Sequence, residues 1–178
     1  MIKGDNIVLR ALELGDVDHL YNWENDSSIW QVSNSITPYS RYLLEQYVLN
    51  SHQDIFTAKQ LRLVICTNDI GKPVGCIDLF DFEPQHLRAG VGILIADKTE
   101  RGKGFATEAL TLLIKYSFQT LHLHQLYCNI GVSNEHSLKL FKNNGFTEVG
   151  LKRDWIRTSN KYEDEYLLQL INQLSPPK

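Results

Sequence analysis

The sequence shows little charge imbalance, few cysteines and no long apolar run. Eighteen Lys and Arg stand against 21 Asp and Glu, a formal net charge of −3 over 178 residues (18 − 21). That balance gives no global electrostatic attraction to nucleic acid. No apolar run approaches the roughly 20 residues that span a bilayer, and Met1-Ile-Lys-Gly-Asp-Asn6 lacks the apolar stretch of a secretory signal. A soluble, cytoplasmic protein with no nucleic-acid and no membrane partner is expected. Cys66, Cys76 and Cys128 are odd in number, and each falls in an apolar, strand-like segment. Such cysteines read as reduced, buried thiols. None is spaced as a metal ligand, and His122-Leu-His124 has no acidic or cysteine companion, so no metal is expected. Internal repeats, low-complexity blocks and linkers are absent too. With 43% apolar residues, the chain reads as one domain over residues 1–174, with 175–178 as a frayed tail.

What is present alternates between strand-like and helix-like patterns. Asn6–Ala11 reads as a strand, and a helix runs from Leu14 to about Asn25 with Asp16 as its N-cap candidate. Asp26–Pro38 has little periodicity and suits a loop covering a pocket, and Tyr39 to about Asn50 forms a second helix. Leu61–Cys66 and Pro73–Phe82 make a hairpin around Asn68-Asp-Ile-Gly71, followed by a strand over Leu87–Ala96. Within that strand, Gly90-Val91-Gly92 suits either a bulge that opens a cleft or a kink in a twisted strand. Gln125–Val132 is another strand. Asn134 caps a helix over Glu135–Asn144 that Gly145 ends. Asp154–Arg157 and Glu165–Ile171 close the chain as a hairpin around Thr158-Ser-Asn-Lys161.

The chain is organised around Asp97-Lys-Thr-Glu-Arg101-Gly-Lys-Gly-Phe-Ala106-Thr107-Glu108, between the strand ending at Ala96 and a helix bearing Leu110, Ile114 and Phe118 at helical spacing. Strand, glycine-rich turn and helix together form an anion-binding arrangement. Bare amides and the positive helix end both attract phosphate oxygens. The spacing is wrong for a P-loop. A dinucleotide fingerprint starting at Gly102 fails at Thr107, and such a loop belongs near the start of a βαβ unit.

Arg101-x-x-Gly104-x-Ala106 does resemble the Arg/Gln-x-x-Gly-x-Gly/Ala signature of the GNAT N-acetyltransferases. Val8-Leu-Arg-Ala-Leu-Glu13, Tyr116-Ser-Phe118, Leu123-His124 and Asn134-Glu-His-Ser137-Leu-Lys-Leu-Phe141-Lys-Asn-Asn-Gly145-Phe146 look like the branch of RimJ/RimL and spermidine acetyltransferases. The resemblance spans nearly the whole chain, most strongly residues 88–150.

It implies an α/β (α+β) GNAT fold: a mixed, mostly antiparallel sheet of about six or seven strands with the fourth and fifth splayed, flanked by about four helices. The splayed strands are those at about 87–96 and 125–132. It also implies acetyl-CoA as acyl donor, with no metal. Amides of Gly102, Lys103, Gly104, Phe105, Ala106 and Thr107 would hold the pyrophosphate, with Arg101 and Lys103 adding positive charge. Backbone groups of Ile93, Leu94 and Ile95 would bind the pantetheine arm as a pseudo-strand. The implied acceptor is a small amine, polyamine, amino sugar or protein N-terminus, attacking directly in a ternary complex. A homo-oligomer is compatible with the resemblance.

Three positions depart from the family pattern. The Tyr that usually protonates the CoA thiolate is Phe141. A carboxylate often used to deprotonate the amine is Gly90. The acidic pair that spermidine acetyltransferases carry after their loop aromatic is absent, since Trp30 precedes Gln31-Val-Ser-Asn34. These departures raise the alternative of a CoA-binding module with weak or lost catalysis. Ser137, one turn before Phe141, is a candidate proton relay or a locally bonded first-turn serine. Asn134 caps its helix and is a candidate contact for pantetheine or an ordered water. Ser137, Asn134 and Phe141 thus join the cofactor-binding candidates. Glu24, Asp26, Asp78, Asp81 and Glu83 are the candidate bases, with no choice among them. Trp30 is the candidate wall of the amine pocket, while Trp23 and Trp155 are assigned to the core.

Overall fold

A computed structural model describes residues 1–30 and 37–173. Among the described residues, eight strands form one sheet: β1 (Ile2–Lys3), β2 (Ile7–Ala11), β3 (Leu61–Thr67), β4 (Pro73–Glu83), β5 (Arg88–Ile95), β6 (Gln125–Gly131), β7 (Thr147–Arg157) and β8 (Tyr162–Ile171). Their spatial order is β1-β2-β3-β4-β5-β6-β8-β7. Every neighbouring pair is antiparallel except β5 and β6. The sheet is the mixed, mostly antiparallel one the resemblance implies. Short β1 adds a strand ahead of those read from the sequence, so the splayed pair becomes the fifth and sixth.

The apolar run in β3 follows from cover on both faces, because side chains alternate along a strand. Leu63 and Ile65 point into one core, Val64 and Cys66 into the other. Helix α4 (Phe105–Gln119) buries Ala109, Leu110 and Leu113 in the first core. On the opposite face, α1 (Val17–Glu24) and α2 (Arg41–Leu49) bring Leu20, Leu44 and Val48 against Val64, Cys66 and Cys76. The described helices are completed by the short α3 (Ile55–Ala58) and by α5 (Glu135–Asn143). All three cysteines are buried and free.

Local signals account for several boundaries. Asn134 Oδ1 accepts from Ser137 N–H at 3.1 Å, capping α5, and Gly145 follows that helix with φ of +89°. Ser40 caps α2 by accepting from Leu43 N–H. Asp16 is different from its expected role. Its carboxylate makes no cap bond to α1; it takes two 2.7 Å hydrogen bonds from Arg10 and a 2.8 Å bond from Glu13 N–H. It therefore ties β2 to the turn Leu14–Asp16 that precedes α1.

The irregularity expected around Gly90-Val91-Gly92 belongs to the neighbouring strand. Asp78 pairs with Gly92, Leu79 with Val91 and Phe80 with Gly90 in unbroken register, and the shift falls between Phe80 and Glu83. Asp81 there has φ of +47°. The closing hairpin is longer than Asp154–Arg157 suggested, since β7 begins at Thr147. The proposed tail at 175–178 lies outside the described residues, as do positions 31–36 of the Asp26–Pro38 segment.

Candidate functional site

Strands β5 and β6 pair only at Arg88–Gly90 against Gln125–Tyr127. Beyond that they part. β5 keeps its pairing with β4 out to Ile95, and β6 keeps its pairing with β8 out to Gly131. The facing edges of residues 91–95 and 128–131 thus carry backbone N–H and C=O groups without a strand partner, a template for an extended, amide-bearing ligand.

The parted edge of β5 runs directly into the glycine loop. Gly102 and Gly104 have φ of +79° and +87°, a region where a side chain is strained. Among the described residues, no backbone N–H from Gly102 to Thr107 donates to protein; the first bond of α4 is Glu108 N–H to Gly104 C=O at 3.1 Å. A run of bare amides at the positive end of a 15-residue helix is suited to bind phosphate oxygens. The approach to the loop is braced by ions. Lys72 bridges Asp97 at 2.6 Å and Glu100 at 3.1 Å, and Lys103 reaches Glu100 at 2.7 Å. The hydrogen bond from Lys72, with those from Thr99, holds the Asp97 carboxyl well below the usual carboxylate range. Arg101 Nε donates to Ile95 C=O at 2.9 Å, closing the loop back on β5. Glu108 accepts from Asn6 N–H at 2.9 Å and from Asn6 Nδ2 at 3.0 Å, anchoring the first turn of α4 to the start of β2.

On the α1/α2 side of the parted strands lies a cleft of about 910 Å³, floored by Val91–Leu94 with Asn129 opposite. Three carboxylates and two cations line it: Glu24, Asp78 and Glu165, with Arg62 and Lys152. Arg62 joins the first two, through Nε to Asp78 Oδ1 at 2.6 Å and Nη1 to Glu24 Oε1 at 2.9 Å. Burial alone would lower the Arg62 pKa, but the charge and hydrogen bond of Asp78, with the nearby Tyr47, together outweigh it and the guanidinium stays cationic. It lies 5.6 Å from the Tyr47 ring centroid, and burial raises the Tyr47 phenol. Glu24 Oε2 has no hydrogen-bond partner among the described residues. At the far side, Lys152 pairs with Glu165, donates to Asn129 Oδ1 at 2.8 Å and sits 4.8 Å from the Trp155 ring centroid.

Of the residues singled out from sequence, Ile93 and Leu94 line this cleft. Ile95 and residues 101–107 form the adjoining loop edge. Asn134 Nδ2 and Ser137 Oγ carry no hydrogen bond to a described residue. Phe141 is 3% exposed and packs edge-on against Phe146 at 5.0 Å, so its ring belongs to the core. Trp30 does not line the cleft; its indole N–H donates to Glu24 C=O at 2.7 Å, fixing the end of α1. Trp23 packs against the α1/α2 core as expected and also lines the cleft. Trp155 corrects the expectation of a core residue, since it lines the cleft while 61% exposed. An aromatic residue in a strand signals packing, but β7 is the sheet edge and only part of its inner face is covered.

Among the candidate bases, Glu24 and Asp78 reach the cleft, whereas Asp26, Asp81 and Glu83 do not. Asp26 is held at about 2 by hydrogen bonds from Ser28 and by Lys98. Asp81 accepts from Tyr127 Oη at 3.4 Å, and Glu83 pairs with Arg88 at 3.0 Å. Sequence reasoning missed Arg62, Lys152 and Glu165. Arg62 left a signal, a lone charge inside the apolar stretch Leu61–Cys66. Among the described residues, no group of three or more His, Cys, Asp or Glu is placed to hold a metal, and no helix is long and apolar enough to cross a membrane.

Comparison with known proteins agrees with this geometry. Residues 6–147 match the model of the acetyltransferase (GNAT) domain. A spermidine N(1)-acetyltransferase of Vibrio cholerae is 30% identical over 167 residues, covering 92% of this chain and 93% of that one. An uncharacterized N-acetyltransferase p20 of Bacillus licheniformis is 26% identical over 170 residues, covering 95% and 94%. The crystal structure of the Vibrio cholerae spermidine N-acetyltransferase in complex with CoA and spermine superimposes with a TM-score of 0.84 at 26% identity, over 93% of this chain and 95% of that one.

Proposed function

The chain belongs to the acetyltransferase (GNAT) family, an acyltransferase that uses acetyl-CoA, and on that premise we propose that it acetylates a primary amine by direct attack, with Glu24 as the base. Acetyl-CoA supplies a thioester whose carbonyl carbon is open to an uncharged amine. The bare amides of residues 102–107 cradle its pyrophosphate, and the free edge of β5 at Ile93–Ile95 takes the pantetheine arm. A fixed N–H near Ile93 faces the thioester oxygen, where negative charge develops as the amine attacks.

The amine arrives as an ammonium with a pKa of about 10. Glu24 takes its proton, directly or through one water, into the cleft that opens on the thioester. The nitrogen–carbon bond then forms and the carbon–sulfur bond breaks. The nitrogen, cationic after attack, sheds its second proton to Ser137 Oγ, which has Asn134 beside it and passes its own proton to the departing sulfur. A thiol is far more acidic than an alcohol, so this last step needs less help than the first. Asp78 keeps Arg62 in place, and Arg62 in turn orients Glu24. An acyl-cysteine route has little support: Cys76 lines the cleft, but burial pushes its thiol far above neutrality.

The observation that carries the reading is the free Glu24 oxygen in a cleft floored by the unpaired edge of β5. Thiol release from acetyl-CoA across a panel of amines tests it. Glu24→Gln is expected to lower kcat by about 10²-fold or more, with CoA affinity by calorimetry unchanged. Unchanged turnover in that variant refutes Glu24 as the base. Tight CoA binding without release for any amine returns the chain to the alternative of a CoA-binding module.

A further inference from the structure

The charges around the cleft bear on what enters it. Among the described residues, Glu24, Asp78 and Glu165 face Arg62 and Lys152, so that lining carries a formal charge of −1 (two cations against three carboxylates). Both cations are engaged there, Arg62 between Asp78 and Glu24, Lys152 on Glu165. Glu165 is 8% exposed, so its charge is strongly felt and Lys152 is what neutralises it. The rest of the lining is largely apolar and aromatic, including Trp23, Tyr39, Leu44, Tyr47, Phe80 and Trp155.

We infer that the acceptor carries a single ammonium on an apolar body, and that Lys152 excludes amines bearing two or more positive charges. This deepens the acetyl-transfer reading and rests on it. One ammonium matches the one unbalanced negative charge, that of Glu24 and Asp78, which share the single cation of Arg62. A second ammonium must leave water for a wall whose carboxylates are already paired, beside the Lys152 cation, and neither desolvation nor repulsion is offset there. The apolar walls instead reward a hydrocarbon or aryl body, with cation–π contact from Trp23 to the ammonium end. This separates the chain from those relatives whose names specify spermidine. A free arylalkylamine and a peptide N-terminus with an apolar first residue share this chemistry.

The test uses the full chain saturated with CoA and titrated by calorimetry with 2-phenylethylamine, phenylalanyl-glycinamide and spermidine, alongside thiol-release assays with the same amines and acetyl-CoA. Wild type is expected to prefer at least one of the two monocations over spermidine by about tenfold or more in both readouts. Whichever monocation wins identifies the source of the amine. Lys152→Met leaves Glu165 unopposed and is expected to shift the preference toward spermidine by about tenfold. Lys152→Arg keeps the charge and is expected to keep the wild-type preference. CoA affinity and the melting temperature of each variant report that loop and fold are intact. Spermidine preferred by wild type, or the same amine ratio in Lys152→Met and wild type, overturns the inference. The binding preference appearing without thiol release from any amine supports the inference while refuting acetyl transfer, so the two fail separately.

Discussion

The ring of Phe80 lies across Gly90 so closely that a Cβ on Gly90 would come within 2.3 Å of it. The two are register partners on β4 and β5 and point to the same face. Where the family often carries a carboxylate, this chain has an aromatic ring from the next strand. Asp78, two residues before Phe80 and opposite Gly92, places a carboxylate on that same face one strand over. In the proposed reaction, the negative charge near the amine would thus come from β4 instead of β5. Gly90→Asp, which restores the familial carboxylate, is expected to cost about 1–3 kcal/mol in denaturant unfolding through overpacking. It is expected to bring no gain in turnover. Adding Phe80→Ala should recover part of the loss relative to Phe80→Ala alone, and strict additivity would refute the steric account.

The glycine loop makes a different prediction, because a Cβ on Gly102 or Gly104 meets nothing within 4 Å. The cost of alanine there is therefore conformational, about 1–2 kcal/mol at each position. Distorted amides should also weaken CoA binding by about tenfold in the double variant. Calorimetry with CoA checks this, and unchanged affinity would show that the phosphates rest elsewhere.

Acid should loosen the junction between β2 and α1. Burial by itself would raise the Asp16 pKa, yet the hydrogen bonds from Arg10 and Glu13 N–H outweigh it and the net shift is downward. A carboxylate lowered on folding contributes stability above its unfolded pKa of about 4 and loses it as pH falls toward the folded value. Asp16→Asn is expected to remove about 2 kcal/mol at pH 7, by leaving Arg10 half-buried and unpaired. The gap between variant and wild type should narrow steadily below about pH 4. A gap independent of pH would assign the loss to packing instead.

Ser137 gives the subtlest test. If its hydroxyl passes a proton to the leaving sulfur, Ser137→Ala should lower kcat by about tenfold, less than the loss expected for the base. CoA affinity should hold within about threefold. Phe141→Tyr places a hydroxyl into a packed aromatic pair with Phe146, so its first effect should be on thermal stability. A large rise in turnover for that variant would show that the missing phenol limits the native reaction.

Much of this was legible before any coordinates. Asn134 and Gly145 bracket α5, and the glycine loop announces the N-terminus of α4, because caps and turns are written in adjacent residues. The apolar run of β3 reflects cover on both faces, which is also a local pattern. The cleft was only half visible. Glu24 and Asp78 stood among five carboxylates with nothing to choose between them, since Arg62, which joins them, comes from a third element. Gly90 left a bulge and a kink equally open, because the ring that requires a glycine there belongs to a residue ten positions earlier. Trp155 looked like core because a sequence does not reveal which strand will lie at the edge. What is missed in each case is a contact between distant segments.

Fastened by three residue pairs, β5 and β6 are a seam between two halves of the sheet. A pantetheine arm bridging the open length would act as a temporary ninth ribbon, stitching the β1–β5 half to the β6–β8 half. Cofactor loading and mechanical integrity are then the same event. Amides flanking the seam should exchange with solvent deuterium more slowly once CoA is added, and the melting temperature should climb with its concentration. The charged enzyme would be the stiffer one, with the acceptor arriving at walls that the donor has already drawn together.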